Sequence, residues 1–156
     1  MSQSVPYQLS QAIVGALRGA LEGDGVAVHD NPTSRATLAD GARVVFVEDN
    51  EDGPRAGQPN QAEQRTFSFA VGVINRTAAA RAACDADMVA CKRVVSAHGP
   101  VACRALKDAG ELTVFSAVRE SRRIYKIEGI DVGGALILTQ FDIDYTVPNT
   151  TIRGRA

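Results

Sequence analysis

The alternation of apolar and polar positions divides the chain into helical and extended stretches. Between Tyr7 and Leu21, the apolar residues Leu9, Ile13, Leu17 and Leu21 recur at every fourth position. Ala16 and Ala20 fill the same stripe, so the pattern predicts an amphipathic helix. Gly23, Asp24 and Gly25 end it, and Val26–Val28 reads as a short strand before the turn residues Asp30, Asn31 and Pro32. Arg43–Val47 reads as a second strand because Val44, Val45, Phe46 and Val47 are β-branched or aromatic. The following stretch, Glu48 to Gln64, is polar throughout and holds two prolines and two glycines, which predicts a long exposed hairpin loop or a partly disordered stretch. Arg65–Ile74 then alternates as a strand, with Phe67, Phe69, Val71 and Val73 on one side and Thr66, Ser68, Ala70 and Gly72 on the other.

Thr77 is placed to cap a second helix running to about Ala97, which Gly99 and Pro100 are expected to break. Val101–Asp108 reads as a separate helical piece, with Pro100 suited to its first turn and Gly110 beyond its end. Leu112–Val118 and Arg123–Ile127 are expected strands separated by a charged turn, Arg119–Arg122. The last element is a long strand, Ala135–Val147. Ala135, Ile137, Thr139, Phe141, Ile143, Tyr145 and Val147 share one face, and Gln140, Asp142, Asp144 and Thr146 make the other a wet face. This order implies an α+β fold, a mostly antiparallel β-sheet with two main helices packed on one face. One domain is expected over residues 1–148, followed by a flexible C-terminal tail, 149–156, that orders when a partner holds it.

Composition narrows the classes. Hydrophobic residues make up 45% of 156, enough for a core without metal or disulfide staples. With 17 basic against 18 acidic side chains, the net charge of −1 argues against a dedicated nucleic-acid binder. No apolar run reaches the roughly 18 residues of a membrane span, and the N-terminus lacks the pattern of a signal peptide. Three cysteines cannot all pair internally, which fits a reducing cytoplasm.

Candidate chemistry is sparse. Cys84, Cys91 and His98 lie seven residues apart on one expected helix, with Cys103 beyond. Seven helical residues rise roughly 10.5 Å, so Cys84 and Cys91 cannot share an ion whose bonds to sulfur are about 2.3 Å, nor form a disulfide. Their spacing suits a buried stripe. His29 and His98 are the only histidines, and no glycine-flanked serine elbow accompanies them, so no catalytic triad is expected. The acidic run Glu48, Asp49, Glu51 and Asp52, with Arg55 after it, superficially resembles a calcium loop but lacks the closing carboxylate, since Pro59 stands there. It reads as a solvated loop tip, or as a lining that repels DNA so that DNA slides past. The Gly129–Gly134 stretch, GIDVGG, is not a phosphate loop, because no Lys-Ser/Thr pair ends it and a strand follows. Arg119, Arg122 and Arg123, the wet-face carboxylates Asp142 and Asp144, and the tail residues Arg153 and Arg155 complete the candidate contact set.

The stretch IYKIEGIDVGGALILTQFDIDYTVP, from Ile124 to Pro148, resembles the closing strands of bacteriophage tail-terminator proteins, the minor tail proteins that cap the tail tube in lambda-like phages. The likeness lies in a strand carrying Tyr125, a turn with Gly133 and Gly134, and a long strand from Ala135 to about Tyr145. The N-terminal helix and the alanine-rich helix after the Phe67–Val73 strand match in order and length. The resemblance implies a small α+β subunit that assembles, as a hexamer, into a ring at the head-proximal end of the tail. Its implied partners are further copies of itself, the tail tube protein, head–tail connector or neck proteins, and DNA passing through the lumen. It implies no cofactor, no metal and no enzymatic step. The alternatives are a head-completion or neck adaptor at the same junction, and a small bacterial ligand-binding domain.

Overall fold

Helix α1 (Val5–Leu21) begins two residues ahead of the expected start, because a cap is available. Ser4 Oγ accepts the N–H of Tyr7 at 3.3 Å, and Pro6, which has no N–H to lose, fits the first turn. Leu9, Ile13, Leu17 and Leu21 are buried as the periodicity predicts, joined by Val14, whereas Ala20 is exposed. The computed structural model describes residues 3–33, 41–54, 64–126 and 134–148. Arg55, the start of the glycine turn from Gly129 to Gly133, and the tail with Arg153 and Arg155 lie outside the described residues.

Six strands form one sheet: β1 (Ala27–Asp30), β2 (Arg43–Pro54), β3 (Gln64–Asn75), β4 (Val114–Phe115), β5 (Arg119–Lys126) and β6 (Ala135–Thr146). Their order is β1-β2-β3-β6, and β4 and β5 lie one after the other along the far edge of β6. β1 pairs β2 in parallel and every other pairing is antiparallel, so the fold is α+β with a mixed sheet. The second helix, α2 (Ala80–Asp108), and α1 pack on the same face through one core. That core takes Phe67, Phe69, Val71 and Val73 from β3 and Ala135, Ile137, Phe141, Ile143 and Tyr145 from β6, the faces that alternation predicted. Phe67, Phe69 and Phe141 stack with centroids 5.4 and 5.5 Å apart.

Three expectations are corrected. The polar stretch from Glu48 is not a loop up to Gln64: β2 continues to Pro54 and β3 begins at Gln64. Pairing with β3 satisfies the backbone whatever the side chains are, and a bulge between Asp49 and Glu51 absorbs the register shift. For the same reason Arg119–Arg122 is no turn but the bulged start of β5, while the expected Leu112–Val118 strand shrinks to β4. Finally, α2 is one helix of 29 residues, neither capped by Thr77 nor broken at Pro100. Thr77 Oγ1 instead donates to Asn75 Oδ1 at 2.6 Å. At the proline, the preceding Gly99 has no Cβ to clash with the ring, and its bare surface receives Val118, whose Cγ2 lies 2.4 Å from where a Cβ would sit. Cys103 and Leu106 then bury the turns beyond, and this packing outweighs the lost helical hydrogen bond.

The face of the sheet away from the helices is sealed at one end by Val44, Phe46 and Ile74, flanked by Leu136 and Leu138. The Phe46 ring lies across Gly72, so that a Cβ there would stand 2.1 Å from its Cζ. Gly72→Ala is expected to destabilise the protein by about 1–3 kcal/mol, the usual range for overpacking. In urea denaturation, adding Phe46→Leu to it should cost less than the two separate effects together. Wild-type stability in Gly72→Ala would refute this close contact.

Candidate functional site

The helix-free face beyond Phe46 is polar, and the strand register arranges it. Ser68 pairs with Asp142 and Thr66 with Asp144 across β3 and β6, so each hydroxyl meets a carboxylate on the same side. Ser68 Oγ donates to Asp142 Oδ1 and Thr66 Oγ1 to Asp144 Oδ1, both at 2.6 Å. From β5, Arg119 forks onto Asp144, with Nη1 2.5 Å from Oδ2 and Nη2 3.2 Å from Oδ1, and lies 3.7 Å from Asp142. The hydrogen bond to Asp144 is the main reason its guanidinium is held above its ordinary pKa. The Ser116 hydroxyl accepts the Asp144 N–H at 3.0 Å. This face is therefore an ordered ladder of hydroxyls, carboxylates and one guanidinium. Asp142, Asp144 and Arg119 come together there, and exposed Arg122, opposite Gln140, sits on the same side.

The bulge at Ser121 sends Arg123 the other way. It lies opposite Thr139 and reaches Asp85 of α2 at 2.5 Å, so Arg119, Arg122 and Arg123 are not one basic cluster. The acidic run is likewise divided. Glu48 and Glu51, paired with Ala70 and Ser68, belong to the helix-free side, whereas Asp49 and Asp52, paired with Phe69 and Phe67, belong to the helix side. Asp49 accepts the Ser10 hydroxyl at 2.7 Å. Asp52 accepts Arg65 Nε at 2.8 Å and the Tyr145 hydroxyl at 2.5 Å. Burial, helped by this acceptor, holds the Tyr145 phenol well above its ordinary pKa. A groove of about 310 Å³ opens beside these carboxylates, between Ser4, Pro6 and Tyr7 at the start of α1 and Asp49–Asp52 of β2, with Phe67 beneath.

Linear reading missed Arg65 and Tyr145. Tyr145 is visible in the sequence only as the last apolar position of β6, and its partner Asp52 lies 93 residues away. The cysteines fill the core as expected of a packed stripe. Cys84, Cys91 and Cys103 are fully buried, and burial pushes their thiols up to about 11, about 12 and about 11. Cys84 Sγ donates to the Val73 carbonyl at 3.2 Å. His98 is exposed, outside the stripe, and His29 is half-buried on β1. Among the described residues no group of three His, Cys, Asp or Glu side chains is placed to hold a metal, and no helix is long and apolar enough to cross a membrane.

No protein-family model matches the sequence, and no curated protein does. Among solved structures, the chain is similar to one from the "Virion of native gene transfer agent (GTA) particle". The alignment has 18% identity and a TM-score of 0.41, and covers 94% of this chain and 98% of that one.

A phenol whose folded pKa is raised favours folding below its unfolded pKa of about 10, and that contribution fades as pH rises further. Stability should therefore fall more steeply above pH 10 in the wild type than in Tyr145→Phe. At neutral pH the same substitution should cost about 1–3 kcal/mol by leaving Asp52 short of a donor. Parallel alkaline slopes in urea titrations would remove Tyr145 from this role.

Proposed function

We propose that this chain is a non-catalytic structural subunit of a phage tail, which assembles as a hexameric ring, terminates the tail tube and presents the surface that joins the head. The observation that supports it most is the helix-free face of the sheet. Two strands of 12 residues carry there a fixed ladder of Thr66, Ser68, Asp142 and Asp144, which Arg119 of β5 completes, with Glu48 and Glu51 beside it. A polar surface already locked by internal hydrogen bonds loses little side-chain entropy when a partner covers it. A ring needs two different complementary surfaces, since a head-to-tail contact closes only when its rotation closes. The strand edge beside the acidic groove is one, and the segment that pairs with it is the other.

Partners of such a ring are the tube protein below it and the connector or neck proteins above it.

Light scattering over a concentration series should show a species six times the subunit mass, with closed rings in negative stain. His29→Gln combined with His98→Gln should leave both unchanged, because neither histidine takes part. A strict monomer up to the highest soluble concentration, also in the presence of tail tubes, would sink the ring assignment.

A further inference from the structure

The outer edge of β2 is only half covered among the described residues. β1 lies beside Val44–Val47, and there the ladder stops. Asn31 closes it, donating its N–H to the Val47 carbonyl at 2.8 Å and accepting the Asp49 N–H on its Oδ1 at 2.7 Å. From Asn50 to Pro54 no described strand follows, and this stretch forms one wall of the groove under Tyr7, a residue 46% exposed. Asp49 and Asp52 are held in place by Ser10, Arg65 and Tyr145, while Glu48 and Glu51 are exposed and make no ion pair with the described residues. An edge that is acidic and ends in proline resists indiscriminate pairing. It favours a β-forming strand that is basic.

The chain carries such a segment. Residues 150–155 read Thr-Thr-Ile-Arg-Gly-Arg, and 149–156 contains two arginines and no acidic residue. Thr150, Thr151 and Ile152 are β-branched and favour an extended backbone. In a strand, Arg153 and Arg155 lie on one side and Ile152 on the other. The segment cannot reach its own edge in that form. Val147, just past β6, is half-buried and packs against the core, and the position beyond β2 is three strand spacings away, roughly 14 Å. The three steps from Val147 to Thr150 span at most about 10 Å. Residues 150–155 as a whole strand therefore reach that edge only from another subunit.

We propose that residues 150–155 of one subunit add as a strand to the outer edge of β2, Asn50–Pro54, in a second copy. Ile152 enters the groove against Pro6 and Tyr7, and Arg153 and Arg155 lie alongside Glu51 and Glu48. The contact is head-to-tail, a sheet edge taking up a strand, with main-chain hydrogen bonds giving affinity and charge giving selectivity. It rests on the ring assignment for its second copy.

The test uses the full chain, a chain ending at Pro148, and a labelled peptide of residues 147–156. Fluorescence polarisation should show the peptide binding the shortened chain. Arg153→Glu with Arg155→Glu in the peptide should weaken binding roughly tenfold or more, and Glu48→Arg with Glu51→Arg in the protein should restore it. The shortened chain should keep its fold by circular dichroism and lose the ring. A shortened chain that assembles like the full one, or peptide binding indifferent to both charge reversals, would overturn the strand exchange while leaving the ring assignment intact. A full chain that stays monomeric while the charge-dependent peptide binding persists would instead remove the ring and keep the groove as a site for this segment.

Discussion

Everything in this molecule is arranged around β3. It is hydrogen-bonded along both edges, to β2 and β6, and every residue from Phe67 to Asn75 is buried. A strand so enclosed must be apolar on the side that meets the helices, which it is through Phe67, Phe69, Val71 and Val73. The helices cover only that side, so the other side must be sealed by the sheet itself. At one end Phe46 folds over Gly72 and meets Val44 and Ile74. At the other, Ser68 and Thr66 give their hydroxyls to Asp142 and Asp144. The apolar seal and the polar ladder are two answers to the same demand, that no buried polar group be left without a partner.

Two carboxylates tie the ends of the sheet to its surroundings. Asp87 of α2 accepts Arg43 Nη2 at 2.7 Å and Nε at 3.1 Å, and Asn75 Nδ2 at 3.2 Å, so the start of β2, the end of β3 and the middle of α2 meet at one buried acid. At the opposite end, Asp52 joins the end of β2 to Arg65 of β3 and Tyr145 of β6. Removing one partner of such a group leaves an uncompensated charge, which costs far more than the pair itself contributes. Each acid fixes register and attachment where it stands, and Asp52 does so beside the groove.

Elements whose burial follows their own periodicity were legible in the sequence: α1, the apolar faces of β3 and β6, and the cysteine stripe of α2. Elements made by pairing were not. Glu48–Pro54 and Arg119–Arg122 are too polar to read as strands, yet both are strands because β3 and β6 take up their backbone groups. Gly99-Pro100 reads as a break, and only the packing of Gly99 on Val118 shows why the helix continues. The candidate residues were legible as chemistry rather than as geometry. Asp142 and Asp144 were correctly placed on the wet face of β6, whereas the two bulges that send Arg123 and the acidic residues to different sides leave no mark in composition.

The misread acidic stretch is also where the proposed strand contact lies, and for a physical reason. A strand with apolar side chains is held by its core and has one stable place. This acidic strand is held by its backbone and by the bonds of Asp49 to Ser10 and of Asp52 to Arg65 and Tyr145, and among the described residues no strand pairs its outer edge from Asn50 to Pro54. Such a segment is ordered enough to present a defined edge and polar enough to remain soluble while unpaired. Its charge excludes partners that are themselves acidic and favours basic ones at the moment of contact. An apolar edge of the same length would bind more strongly and with less discrimination, pairing with copies of itself in open-ended fashion. For the ring proposed above, which has to close and then stop, weak backbone pairing gated by charge is the better-suited interaction.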